Sequence, residues 1–333
     1  MFEEVSELIQ SALDGYNVCL FSYGQTGSGK THTMQGSGNG AMRGIIPRSI
    51  QQVGSYKVEL EGNGWLYEMK VSFLEIYNEN IRDLLREKKS EEQKHEIKVN
   101  SDGHRFVADI TMRALDPNDP DAVEEVMRQA AKHRSVASTD MNAVSSRSHS
   151  VFTLHLTAVH SERKEVLRGA LNLVDLAGSE RLDRSGAVGA RAKEAVSINK
   201  SLSSLTDVFA AIGKKAGHIP FRNSKLTYLL QPCLSGDGKT LMVVNLSPTE
   251  KSSPESLCSL RFASHVNKCE LGKARKQIED VSDEKSTQGS TPVKAGGRTQ
   301  GSTPVKVGGQ ISKRLHGVLK PTGLKSKKQR LLK

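Results

Sequence analysis

Gly24-Gln25-Thr26-Gly27-Ser28-Gly29-Lys30-Thr31 stands behind the apolar run Val18-Cys19-Leu20-Phe21, and its reading decides the fold. The octapeptide fits G-x-x-x-x-G-K-[ST], the loop that cradles nucleotide phosphates between a strand and a helix. Three glycines let the backbone turn tightly enough for its N–H groups to converge on a phosphate. Lys30 would reach the β- and γ-phosphates, and the Thr31 hydroxyl would hold Mg²⁺. A helix beginning near Lys30 would add the positive end of its dipole.

Two downstream segments fit the same chemistry. Asp175-Leu176-Ala177-Gly178-Ser179-Glu180 follows the apolar Leu171-Asn172-Leu173-Val174. An acidic residue at the C-terminal end of such a strand is where a P-loop enzyme keeps the carboxylate that orients Mg²⁺ and its waters. Gly178 leaves a backbone N–H free to approach a γ-phosphate. Asn142-Ala143-Val144-Ser145-Ser146-Arg147-Ser148-His149 brings two hydroxyls and an arginine into one short loop, suited to Mg²⁺, phosphate and a carboxylate. Alone, each segment is an ordinary turn. Together they specify a nucleotide site.

Elsewhere the pattern alternates between strand and helix. Phe2, Val5, Ile9, Ala12 and Leu13 mark one helical face, ended by Gly15. Strands are expected at Val18–Tyr23, Leu66–Tyr77 and Leu241–Leu246. Val151–His160 and Lys164–Val174 read as an antiparallel hairpin. A short helix is expected before the charged loop Arg86 to Lys94, with further helices at Asp121–His133 and Arg191–Ile212. Ser252 with Glu255 reads as a capping box for a last helix ending near Asn267. The alternation implies a three-layer α/β domain.

GQTGSGKTHTM (24–34), NAVSSRSH (142–149), LNLVDLAGSE (171–180) and HIPFRNSKLT (218–227) occur in that order. The set resembles the kinesin motor domain over residues 1–277. The closing stretch RFASHVNKCELG (261–272) is similar to the minus-end-directed kinesins whose motor lies at the C-terminus. The resemblance implies a microtubule-stimulated ATPase with ATP and Mg²⁺ bound. It puts Gly24, Gln25, Thr26, Gly27, Ser28, Gly29, Lys30, Thr31, His32, Asn142 and Ser145 around the nucleotide. Thr31, Ser146 and, through water, Asp175 would hold Mg²⁺. Lys30, Ser146, Arg147, Gly178 and Glu180 would act in catalysis, with Arg147 and Glu180 pairing when γ-phosphate draws both loops inward. The track-binding face would lie along Arg181–Lys200 and His218–Thr227, through Arg184, Arg191, Lys193, Asn199, Lys200, Arg222 and Lys225. Tubulin is acidic, so a local basic patch would steer association and weaken with salt.

In that family the motor begins further upstream, with a strand ending in Arg-x-Arg-Pro that packs on adenine. Nothing of that kind precedes Met1. An N-terminally truncated core is expected to leave the edge and faces of Leu241–Leu246 uncovered. Such a core would bind adenine less firmly. The alternative to a motor ATPase is therefore a non-hydrolysing, microtubule-docking protein. A generic P-loop NTPase with a nucleic-acid-binding tail is a third reading, weakened by the lack of an Asn-Lys-x-Asp motif.

Charge divides the chain. Residues 281–333 carry 12 Lys plus Arg against two acids, a net of +10, so the total of +11 leaves the first 280 residues near +1. The segment 278–333 repeats QGSTPVK from Gln288 and Gln300 and reads as a disordered basic tail. It would bind microtubules or, non-specifically, nucleic acid. Phosphorylation at Thr291 or Thr303 would lower its charge. KSKKQR (325–330) resembles a nuclear localisation patch. Four cysteines without C-x-x-C spacing indicate reduced thiols, and no apolar run is long enough for a membrane span. The expectation is a protein of the cytoplasm and microtubule cytoskeleton, spindle included, with nuclear entry, dimeric in a full-length form.

Overall fold

Strand β1 (Asn17–Tyr23) organises the domain, because its side chains alternate between two separate cores. Val18 and Leu20 point into one, Cys19 and Phe21 into the other. The computed structural model describes residues 2–38, 40–87, 93–101, 105–136, 146–180 and 190–280, all within one compact unit, Met1–Asp283. The repeats, Thr-Pro sites and basic patch of the tail lie outside these residues.

Parallel neighbours flank β1 on both sides: β8 (Glu165–Asp175) and β9 (Lys239–Val244). Beyond β8 the sheet turns antiparallel through β7 (His149–His160), β2 (Trp65–Tyr77) and β3 (Asn80–Asp83), in the order β3-β2-β7-β8-β1-β9. The expected hairpin is β7–β8. The two-residue β6 (Arg113–Ala114) pairs with β2, while β4 (Ile97–Val99) and β5 (Arg105–Val107) form a separate ribbon.

Helices cover both faces, as the alternating pattern requires. The first core collects α1 (Phe2–Leu13), the short α2 (Lys30–Met34), α3 (Ile45–Gly62) and α4 (Pro120–Val136). The second collects α5 (Ala190–Gly213), α6 (Lys225–Leu234) and α7 (Ser253–Asn267). Phe73 and Phe152, cross-strand partners on β2 and β7, meet edge to face at 5.4 Å in the first core.

Four expectations change. A short helix was expected before the loop Arg86–Lys94, and the element found just before that loop is Asn80–Asp83. It is strand β3, because Asn78 and Glu79 both adopt positive φ (49° and 57°) and fold the chain back on β2 in a two-residue turn. The capping box at Ser252 is absent. Ser252 has helical angles (φ −92°, ψ −2°) and makes no cap bond, and its hydroxyl instead accepts from Gln25 Nε2 and Thr249 Oγ1. Ile278–Asp280, placed in the tail by sequence, is strand β10, antiparallel to Glu165–Leu167 of β8. The strand expected at Leu241–Leu246 begins two residues earlier and ends at Val244.

Strand β9 closes one end of the sheet. All six of its residues are only part-buried, and among the described residues no strand pairs with its outer edge. On α7, which packs against β9, Leu257 and Leu260 stay exposed. No helix among the described residues is long and apolar enough to cross a membrane.

His155, on β7, is largely buried beside the Ser72 hydroxyl at 3.1 Å, and burial lowers its pKa from 6.5 to about 4. The folded state then binds this proton less readily than the unfolded chain does. Its contribution to stability is complete above about pH 6.5 and is lost as pH falls towards 4. His155→Gln should therefore flatten the decline in urea midpoint between pH 6.5 and 4. An unchanged slope would remove His155 from the account.

Candidate functional site

Three strand ends converge at the carboxyl edge of the sheet. The β1–β8 register sets Ser22 opposite Asp175, and the β1–β9 register sets Tyr23 opposite Val244. The loops leaving β1, β8 and β9 therefore start side by side, the usual position of a ligand in a parallel sheet.

The first loop is Gly24–Gly29. Gly24 must be glycine, since a Cβ there would lie 2.2 Å from the Asn245 carbonyl oxygen behind it. Gly27 and Gly29 have φ of 78° and 94°, and the space where their side chains would stand is open. Ser28 Oγ is buried without a hydrogen-bond partner. An open glycine cradle with an unsatisfied buried hydroxyl fits a phosphate group. The helix behind it, α2, is only five residues long.

Lys30 is buried, and its ammonium donates to the Gln25 carbonyl at 2.9 Å. Burial lowers its pKa, while the Asp175 and Glu180 carboxylates oppose that shift. The Thr31 hydroxyl donates to Asp175 Oδ2 at 2.7 Å. A hydroxyl and a carboxylate meeting at a phosphate cradle fit a hydrated divalent cation, so Thr31 and Asp175 can serve Mg²⁺. Ser146 approaches from the other side, its carbonyl accepting from Gly178 N–H at 2.8 Å.

Glu180, which the resemblance pairs with Arg147 once γ-phosphate draws the loops inward, is held here by Thr26. Its carboxylate accepts from Thr26 N–H (2.8 Å) and Thr26 Oγ1 (2.5 Å), and no described ion pair joins it to Arg147. Ser179 N–H donates to the Gly24 carbonyl at 3.1 Å. A Cβ at Gly178 would come within 2.3 Å of Glu180 Oε2 and 2.4 Å of Thr26 Oγ1, so only glycine admits this contact. The Asp175 loop is thus latched to the phosphate loop at two points.

Behind the site lies a buried charge cluster that the sequence reading missed. Arg134, near the end of α4, places Nη1 at 3.4 Å from Asp175 Oδ2 and Nε at 3.6 Å from Glu75 Oε1. Both carboxylates are 1% exposed. Glu75 also accepts from the Ser148 hydroxyl at 2.6 Å. Arg134 sits in an ordinary charged stretch, while Glu75, 59 residues away, is a lone charge in the apolar run of β2, and neither points to the other.

Four of the expected track-facing residues can be placed. Asn199 and Lys200 lie on α5, which packs on α6 and on the 3₁₀ turn Phe221–Asn223 that carries Arg222. Lys200 and Arg222 are exposed, Asn199 and Lys225 half-buried. Ser224 caps α6 through Thr227 N–H, and Lys225 N–H donates to Glu79 Oε2 at 3.0 Å. His32 follows the phosphate loop on α2. Asn142, Ser145 and Arg184 lie outside the described residues, as do the side chains of Arg191 and Lys193.

Residues 1–269 match the kinesin motor domain family. The chain is 52% identical over 287 residues to kinesin-like protein KIN-14M of Arabidopsis thaliana, covering 84% of this chain and 38% of that protein. It therefore spans well under half the length of that relative. The motor domain of kinesin-like protein KAR3 from Saccharomyces cerevisiae shares the fold with a TM-score of 0.70 at 49% identity, covering 80% of this chain and 79% of that one. A KIF14 dimer, described as two-heads-bound with AMP-PNP in complex with a microtubule, gives 0.73 at 35% identity, covering 82% and 77%.

Arg134→Met should take the shared buried cation from two carboxylates, leaving Glu75 with Arg82 and Ser148 and Asp175 with Thr31, and cost about 3 kcal/mol of stability, read from urea unfolding at neutral pH. A loss below about 1 kcal/mol would mean that the cluster is solvated rather than paired.

Proposed function

The chain belongs to the kinesin motor-domain family, and on that premise we propose that it hydrolyses ATP at the Gly24–Thr31 loop in a cycle that microtubules accelerate. Movement along the microtubule is the work this cycle drives. The observation that carries the reading is the convergence of Lys30, the Thr31–Asp175 pair and the Gly178–Glu180 segment on one open glycine cradle.

Phosphoryl transfer to water depends on positioning and charge neutralisation rather than covalent chemistry by the protein. Lys30 gives up the Gln25 carbonyl for the phosphates, and the Gly27–Gly29 amides line them. Mg²⁺, when bound, offsets the charge on the β- and γ-phosphates. Thr31 and Ser146 supply its hydroxyls, and Asp175 orients its waters. Gly178 N–H leaves the Ser146 carbonyl for the γ-phosphate, and Asn142 and Ser145 complete the contacts to nucleotide.

That exchange frees Glu180 from Thr26 to pair with Arg147, so the carboxylate reports whether γ-phosphate is present. The loops then load α5, whose outer residues Asn199 and Lys200, with Arg222, Lys225 and the basic residues of 181–193, meet acidic tubulin. The protein works on the microtubule cytoskeleton, as a homo- or heterodimer in its full-length form. The basic tail adds avidity for the track, and its KSKKQR segment admits the protein to the nucleus.

The outer edge of β9, unpaired among the described residues, favours a second reading, docking on microtubules without turnover. The residue that follows β9, Asn245, backs the phosphate loop, so a loosely held β9 weakens the cradle.

Steady-state hydrolysis with and without microtubules, beside Lys30→Ala, separates the two. The ATPase reading requires a microtubule-stimulated rate that Lys30→Ala abolishes. Co-sedimentation without any turnover would select the docking protein. Lys225→Ala should raise the microtubule concentration for half-maximal stimulation several-fold, with the difference shrinking as salt rises. A salt-independent defect would place Lys225 away from the track.

A further inference from the structure

His149, the last residue of the NAVSSRSH segment, opens β7 directly beneath the Asp175 loop. It is 2% exposed and bonded on both ring nitrogens. Ala177 N–H donates to Nδ1 at 3.1 Å. Nε2 lies 2.7 Å from the Ser201 hydroxyl on α5, and Ser201 Oγ donates to the Ile198 carbonyl at 2.7 Å.

These partners fix every proton. A backbone N–H can only donate, so Nδ1 carries no hydrogen and the ring is neutral with its proton on Nε2. The Ser201 hydroxyl hydrogen is committed to Ile198, so its oxygen receives from Nε2–H. The chain therefore runs one way, from the Ala177 amide through the imidazole and Ser201 to the backbone of α5. Burial, with Arg134 and Lys30 nearby, holds the ring's pKa near 3, in keeping with a neutral ring at working pH.

We infer that His149 is a positioning residue that transmits the state of the Asp175–Glu180 loop to helix α5. The inference rests on the function proposed above. Ala177 precedes Gly178, whose amide must leave Ser146 to reach a γ-phosphate. When Gly178 moves, the Ala177 N–H moves with it. The imidazole is rigid, with its two bonded nitrogens on different sides of the ring, so a shift imposed at Nδ1 is delivered at Nε2. Ser201 takes it up on the residue next to Lys200, which faces outward where Ser201 faces inward. A buried histidine that merely filled the core would need neither bond to cross between these two elements.

Ser201→Ala tests this without touching the site, since alanine suits a helix interior and removes the acceptor of Nε2–H together with the local bond to the Ile198 carbonyl. His149→Gln is the conservative partner, because its amide can still accept at one atom and donate at another. Hydrogen exchange of the α5 amides from 198 to 209 is measured on the full chain, with and without Mg²⁺·ADP and Mg²⁺·AMP-PNP. Wild type should show protection that differs between the two nucleotides. In Ser201→Ala that difference should shrink about tenfold, the scale of a typical coupling between sites. His149→Gln should keep part of it.

Nucleotide affinity and urea midpoint, measured alongside, show whether either variant has simply lost its fold or its ligand. If Ser201→Ala is misfolded, His149→Phe at the same readout replaces it, keeping ring volume and losing both bonds. An exchange response in the variants equal to wild type, or no difference in wild type itself, overturns the inference. Failure of the ATPase reading is separate: it appears as wild-type turnover that microtubules do not stimulate, whatever the exchange data show.

Discussion

The Asp175 carboxylate, 1% exposed at the end of β8, is the constraint around which the rest of the site is arranged. A buried charge is tolerated only with partners, because bare burial costs several kcal/mol. Asp175 has three. Thr31 donates from the phosphate loop, Arg134 stands behind it from α4, and Ser22 lies 3.5 Å away on β1. Each comes from a different element, so satisfying this one carboxylate draws β1, α2 and α4 to a common point. Once they are there, the phosphate loop and the Asp175 loop are neighbours, and the Thr26–Glu180 and Ser179–Gly24 contacts follow at short range.

The parts of this arrangement that are legible in sequence are those whose signal is local. The glycine loop announces itself through spacing, and the β7–β8 hairpin through two apolar runs separated by Ser161-Glu162-Arg163. The inner face of α5 was read from Val196, Leu202, Leu205, Phe209 and Ile212 at helical intervals; the last four are buried, but Val196 is exposed. Thr31 and Asp175 were paired in expectation because chemistry requires a hydroxyl and a carboxylate at one cation, and the fold puts them 2.7 Å apart.

What the sequence hid depends on distant partners. Arg134 is one arginine in a polar helix until Glu75 and Asp175 close on it from 59 and 41 residues away. Ser252 and Glu255 have capping-box spacing, but Gln25, 227 residues earlier, takes the Ser252 hydroxyl. Asn78-Glu79 carries no glycine to advertise a tight turn, so the hairpin that makes β3 left no local mark. His149 is visible as a letter in a motif. Its role depends on Ala177 and Ser201 standing on opposite sides of one ring, which no spacing encodes.

The sheet edge is not remote from this chemistry. Beyond β9 the chain gives Asn245, whose N–H donates to the Tyr23 carbonyl at 2.8 Å and whose side chain donates to Thr33 Oγ1 at 2.8 Å. Its carbonyl is the wall that makes Gly24 obligatory. Seven residues on, Ser252 holds Gln25. The phosphate loop is thus clamped from behind by the segment joining β9 to α7, while its front remains open. Front contacts, made by Glu180 and Lys30, are charged and exchangeable. Rear contacts are short, neutral and partly buried. A loop whose front contacts are exchangeable needs a fixed back, and here that back hangs on a strand whose six residues are all only part-buried. Whatever pairs with the outer edge of β9 would therefore stiffen the cradle itself, because the same residues that end the strand seat the loop.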